Sequence, residues 1–234
     1  MPQIKEFFDK FSNHYDECAF YSSIGTSYLS EIETSFILSS CPIVKNTRVL
    51  EIGIGTGRCS SLLANQGAEI YGVDISDRML EKAKLRLGES LIDFKTKNVQ
   101  EGIPYPTNYF DIVLCIRALK YMPRWKFVIK EINRTLKSNG ILILELSSEL
   151  SIASLGAKYA NYFLFDVKEV IRMLKYIGFS VKSLKGGTKL PFILYEKVHS
   201  CLLLNFLKHI EKILQIFLLF HFSRNILIAA QKGK

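Results

Sequence analysis

The chain has little of what marks several protein classes. Its 234 residues include five cysteines, Cys18, Cys41, Cys59, Cys115 and Cys201, odd in number, scattered, and without a Cys-x-x-Cys pair that would clamp zinc or cycle as a redox couple. No metal site is expected, and a reducing cytoplasm is the expected location. The opening stretch MPQIKEFFDKFSNHYDE mixes acids and bases with its aromatics and lacks the uninterrupted apolar core of an export signal. No composition break divides the chain, so one globular unit is expected. Acidic residues are scarce toward the end: residues 182–234 hold nine basic and two acidic side chains, against 22 and 20 in residues 1–181, which places most of the +9 net charge in the last quarter. That asymmetry suits an anionic membrane surface, an acidic substrate, nucleic acid, or a solvated basic face with no partner.

What is present is an alternation of helical and strand signals. Ile4, Phe7, Phe8, Phe11 and Tyr15 fall at helical spacing, and a second helix is predicted over residues 27–39 before Cys41-Pro42 stops it. Val49–Ile52, Glu69–Val73, Leu91–Thr96, Phe110–Ile116, Ile141–Leu146 and Phe179–Leu184 read as strands, the most apolar of them as near-continuous buried runs. The helices between them carry their own punctuation. Gln66-Gly67, Gly88 and Gly178 close three of them, Ser76 caps one, and Asp166 with Glu169 reads as a capping box. Buried strands separated by single helices imply an α/β doubly wound, mostly parallel sheet with helices on both faces. Ligands in such sheets sit beyond the carboxyl ends of the strands where the winding reverses.

The stretch RVLEIGIGTGRCSSLLANQGAEIYGVDIS occupies that place. A dinucleotide fingerprint needs Gly-x-Gly-x-x-Gly, and Arg58 stands where its third glycine belongs. The phosphate loop needs a Gly-Lys-Ser/Thr ending, and Thr56-Gly57-Arg58 offers none. The pattern is instead Glu51-x-Gly53-x-Gly55-x-Gly57, with Asp74 ending the next strand. An acid beside the loop suits a cationic ligand better than a pyrophosphate, which it would repel.

This pattern resembles the first motif of the class I S-adenosylmethionine-dependent methyltransferases, in their small-molecule branch. The resemblance spans roughly residues 10–184 and resumes at RNILIAAQKGK, which looks like the family's last strand, inserted antiparallel between the fifth and sixth and completing a Rossmann-like sheet of seven. It implies S-adenosylmethionine as cofactor, with Gly53, Gly55 and Gly57 in the loop and Asp74 accepting both ribose hydroxyls. Ile75 and Met79 line the adenosine, and Glu51 orders the loop near the ligand's amino group, as a direct contact or through a neighbour. Asn98 and Val99, in KNVQ, resemble the adenine-gripping segment with Asn98 replacing the usual acid. Cys115 and Ile116 end the fourth-strand motif on the cofactor side. Tyr15-Asp16 resembles the segment that lids the cofactor, so Tyr15 closes over the methionine end or is an ordinary packing aromatic.

The acceptor side departs from the family pattern, because Cys115-Ile116-Arg117 and then Lys120-Tyr121 stand where small residues and histidines are usual. Arg117, Lys120 and Tyr121 are candidate acceptor contacts, as are His14 and His199, each with a solvent or packing role as the alternative. No Asn/Asp-Pro-Pro-Tyr/Phe motif follows the fourth strand, which argues against DNA. In LLLNFLKHIEKILQIFLLFHF, residues 202–222, Lys208, Glu211 and Lys212 are too costly in hydrocarbon for a membrane span. Its apolar stripe leaves four roles open: packing on the sheet edge, a homodimer contact, a lid over the acceptor pocket, or a helix lying on an anionic membrane.

The resulting organisation is an N-terminal helical lid (1–45), a cofactor core (46–184), a helical insertion (185–223) and a last strand (224–234). The expected activity is methyl transfer to a small hydrophobic or amphiphilic acceptor. A cofactor-binding protein without turnover and an RNA methyltransferase using the basic tail are the alternatives.

Overall fold

The computed structural model describes residues 2–151, 162–217 and 222–234. Among them, seven strands form one sheet in the order β3-β2-β1-β4-β5-β7-β6. They are β1 (Arg48–Ile52), β2 (Glu69–Asp74), β3 (Leu91–Thr96), β4 (Phe110–Cys115), β5 (Leu136–Ser147), β6 (Phe179–Gly186) and β7 (Asn225–Lys232). The first five pair in parallel, while β7 runs antiparallel to both β5 and β6. This is the inserted last strand the sequence led one to expect.

Both faces are covered, which explains why the central strands read as unbroken apolar runs. On one face Leu50, Ile52, Val113 and Leu144 pack against Val128, Ile129 and Ile132 of α5 (Trp125–Thr135) and Val170 and Leu174 of α6 (Val167–Tyr176). On the other, Val49, Ile70, Ile112 and Ile143 meet α2 (Ile24–Ser40), α3 (Arg58–Ala64) and α4 (Asp77–Leu87) through Ile37, Leu63 and Leu80.

Three local readings are corrected. The N-terminal helix α1 (Pro2–Phe11) stops before Tyr15, and a π-helical turn over Glu17–Tyr21 follows. Strand β5 starts five residues early, because Leu136 pairs with Phe110 and Ile141 with Ile112. The Ser138-Asn139-Gly140 turn is thus absorbed as a bulge, with Asn139 at φ 63°. Asp166 caps α6 by accepting from the Lys168 N–H at 2.8 Å, but Glu169 does not reciprocate, since it pairs with Lys126 at 2.5 Å.

The segment after β6 forms α7 (Phe192–Glu196) and α8 (Cys201–Phe217). Leu204 and Leu207 of α8 join Tyr195 and Val198 in a small separate core with Tyr28 and Leu29 of α2. Glu211, counted among the charges that exclude a membrane span, is buried here. It accepts from the backbone N–H groups of Lys189 and Leu190 and from the Tyr195 hydroxyl, at 2.8 to 3.1 Å.

Candidate active site

The strand order reverses between β1 and β4, and an open cleft lies there, where ligands of such sheets bind. Its floor is the loop after β1. Gly53 holds φ +67°, and a Cβ on it would lie 2.5 Å from the Ala118 Cβ, so the loop approaches the end of β4 as closely as backbone allows. Gly55 lines the cleft beside it.

Asp74 ends β2 and lines the same cleft. Its two oxygens accept from the Gly55 N–H at 2.8 Å and the Ser76 N–H at 2.9 Å, which leaves each with further acceptor capacity. Burial raises its pKa, and those backbone hydrogen bonds oppose the rise. Ile75 and Met79 continue the wall, and Ser76 caps α4 by accepting from the Met79 N–H at 3.2 Å. Asn98 and Val99 form the far side. The Asn98 side chain is already used locally, accepting from the Gln100 N–H and donating to Glu101.

The roof comes from the N-terminus. Ile4 and Phe8 of α1, with Tyr15, Tyr121 and Met122, close the cleft on its apolar side, and Tyr15 packs edge-on to Phe8 and Phe20. Helix α1 is fastened to the start of α4 by Lys5 to Asp77 and by the Ser76 hydroxyl donating to Asp9, both at 2.5 Å. Asp16 fastens the next segment, accepting from the Thr56 hydroxyl at 2.7 Å and from Arg86 at 2.5 Å.

Nine of the twelve cofactor candidates therefore line one cleft, and three do not. Glu51 lies behind the loop, where it accepts from the Ser60 N–H and hydroxyl at 3.1 and 2.5 Å; burial pushes its pKa up to about 7 against those bonds. Gly57 starts α3 at φ +76°, and a Cβ there would press on Ala83 and Leu87 of α4, so it governs helix packing. Cys115 is fully buried in the core beneath. Of the acceptor candidates, Arg117 and Tyr121 line the cleft and Lys120 lines a neighbouring cavity. His14 and His199 are exposed, and neither lines either space. His209 is likewise exposed, and His221 lies outside the described residues.

Sequence reasoning missed an ion cluster beneath the roof. Glu33 of α2 is buried between Arg58 and Arg117, bonding to both, the latter at 2.9 Å, and both guanidinium groups lie over the Phe20 ring at 3.8 and 4.4 Å. Burial pushes the Glu33 carboxyl up, but the two arginines outweigh it and hold it at about 2. Arg58, the residue that breaks the dinucleotide fingerprint, is thus an anchor for the segment over the cleft. Arg117 holds φ +56°, uncommon for a side-chain-bearing residue, at the end of β4.

Residues 50–144 match the methyltransferase domain family. Over 128 residues the chain is 35% identical to the ubiquinone biosynthesis O-methyltransferase of Nitrosomonas europaea, covering 54% of this chain and 52% of that protein. The chain spans about half the length of the curated relatives it matches. Among solved structures, it superposes on magnesium protoporphyrin IX methyltransferase from Synechocystis PCC 6803, which holds S-adenosylhomocysteine, with TM-score 0.68 and 15% identity over 99% of each chain. It also superposes on the [4+2]-cyclase SpnF with TM-score 0.72 and 16% identity, covering 99% of this chain and 96% of that one. These likenesses show the fold and not the reaction. On the sequence match, residues 50–144 carry a methyltransferase domain.

Proposed function

We propose that this chain binds S-adenosylmethionine in the cleft and transfers its methyl group to a small molecule. The observation that carries the reading is Asp74, whose carboxylate lines the cleft with acceptor capacity to spare while its backbone bonds fix it against the glycine loop. A ribose offers two hydroxyl donors to such a group. Ile75, Met79 and Val99 supply an apolar slot suited to adenine, and the loop at Gly53 and Gly55 leaves backbone against the amino-acid end. The cofactor, when bound, supplies a methyl group already activated on a sulfonium.

The protein's own task is therefore positioning and the exclusion of water. Ile4, Phe8 and Tyr15 roof the cleft with apolar surface. Arg117, held by Glu33, stands where the cleft meets the neighbouring cavity. Among the described residues no histidine faces either space, so a histidine base has no support in the geometry.

Incubation with methyl-labelled S-adenosylmethionine and extracted small metabolites tests the reading. Label in a small molecule supports it. Cofactor binding with no incorporation into any pool supports the inert alternative, and incorporation into RNA alone supports the other. The exposed Leu202, Leu203, Phe206 and Ile213 of α8, with the exposed Lys197 and Lys212 close in sequence, support a peripheral contact with anionic lipid.

A further inference from the structure

Beside the cleft lies a second, open cavity, and among the described residues Arg117 lines both. It sits above the carboxyl ends of β4 and β5 and the start of β7. Lys120 follows β4, Glu145 stands near the end of β5, and Arg224 immediately precedes β7, with Glu33 entering from α2 and Phe192 from α7.

The charges in this space are not all answered. Glu33 is neutralised by Arg58 and Arg117. Glu145 is buried, and neither of its carboxylate oxygens has a hydrogen-bond partner; Arg117 Nε, at 3.9 Å, is too far to donate. Lys120 places its ammonium 5.2 and 5.5 Å from the centres of the Tyr162 and Tyr121 rings, and Arg224 its guanidinium 4.7 Å from that of Phe192. Neither cation forms an ion pair with a carboxylate of the described residues. Two cations without a carboxylate partner among the described residues and one acid without a hydrogen bond, its nearest cation Arg117 at 3.9 Å, thus face one cavity, and a buried carboxylate with empty acceptor sites is among the costlier things a fold can retain.

A ligand that answers all three must bring negative charge for Lys120 and Arg224 and a hydrogen-bond donor for Glu145. An ammonium would satisfy Glu145 but would add a third cation to two unanswered ones. A purely apolar acceptor would answer none. We infer that this cavity binds the methyl acceptor, a small organic acid whose carboxylate faces Lys120 and Arg224 and whose hydroxyl donates to Glu145. A guanidinium is suited to bidentate capture of a carboxylate, and that of Arg224 lies over the Phe192 ring at the cavity wall. Only the word acceptor rests on the methyl-transfer reading; the binding site stands on two cations without a carboxylate partner among the described residues and a carboxylate without a hydrogen bond.

Titration calorimetry on the full chain saturated with S-adenosylhomocysteine tests the inference, using three probes. Protocatechuate carries a carboxylate and hydroxyls, catechol lacks the carboxylate, and benzoate lacks the hydroxyls. Protocatechuate is expected to bind at least about tenfold more tightly than either. Arg224→Met and Lys120→Met should each abolish its advantage over catechol, and Glu145→Gln its advantage over benzoate, while all three variants retain S-adenosylhomocysteine affinity and so report intact folding. Equal affinity for the three probes, or no binding by protocatechuate to a chain that binds S-adenosylhomocysteine, overturns the inference and leaves the cofactor reading standing. Failure of S-adenosylhomocysteine to bind, with protocatechuate still preferred, overturns the cofactor reading and leaves the cavity.

Discussion

Burying Glu145 without a hydrogen-bond partner costs stability that a neutral side chain would recover. Burial, reinforced by nearby Glu33 and opposed by Arg117 and Lys120, raises its pKa from 4.5 to about 7. A group whose folded pKa is raised binds more protons in the native than in the unfolded state between those values, so its contribution to stability falls as pH rises from 4.5 to 7. Glu145→Gln is therefore expected to match the parent near pH 4 and to exceed it at pH 8 by about 1–3 kcal/mol in urea denaturation. Equal stability at both pH values would contradict the description of the group. Arg58 carries the opposite expectation: Arg58→Ala leaves Glu33 with one partner instead of two, and a loss of about 3–5 kcal/mol is expected on the same measurement. Neither role was legible in the sequence. Glu33 and Arg58 are 25 residues apart on different helices, and Glu145 sits in an apolar strand whose neighbours say only that it is buried. That Gly53, Gly55 and Asp74 meet at one place was legible because a glycine-rich loop after a strand, and an acid ending the next, are local patterns whose position the sheet order fixes.

Helix α8 shows how much periodicity reveals about an element and where it stops. Its apolar stripe identified a helix, but the helix buries Leu204, Leu207 and Glu211 and leaves Leu203, Phe206 and Ile213 exposed, with Phe206 at 60%. Hydrophobic spacing alone did not single out a buried glutamate as the anchor. Glu211→Ala removes the acceptor for two backbone N–H groups and one hydroxyl at once, and should lower stability by about 3–5 kcal/mol with a corresponding fall in Tm. Among the described residues α8 lines neither the cleft nor the second cavity, so the geometry gives the lid role considered for it no support, whereas Ile4 and Phe8 of α1 line the cleft. The exposed face has its own test. The chain should sediment with vesicles containing phosphatidylglycerol, and Leu203→Ser with Phe206→Ser should reduce the bound fraction severalfold; no sedimentation removes the membrane role.

At the scale of the molecule, sequence and structure agree on the sheet because its buried parallel strands leave long apolar runs, and its order puts the loop and Asp74 at one reversal point. The placement of β7 between β5 and β6 was legible only through the family resemblance, since antiparallel insertion leaves no local mark. The basic excess of the last quarter is partly internal: Lys189 is buried, Arg224 lines the second cavity, and Lys232 donates to the carbonyls of Asn133 and Leu136. Fewer of those charges face an external polyanion than the composition suggests, which weakens the RNA alternative. Titration calorimetry with S-adenosylmethionine on the chain and on Asp74→Ala tests the central claim most directly. One-to-one binding by the chain, weakened at least about tenfold by a substitution that removes the acceptor for the ribose hydroxyls, is the predicted result. A folded chain that does not bind, or a variant that binds equally well, would contradict it.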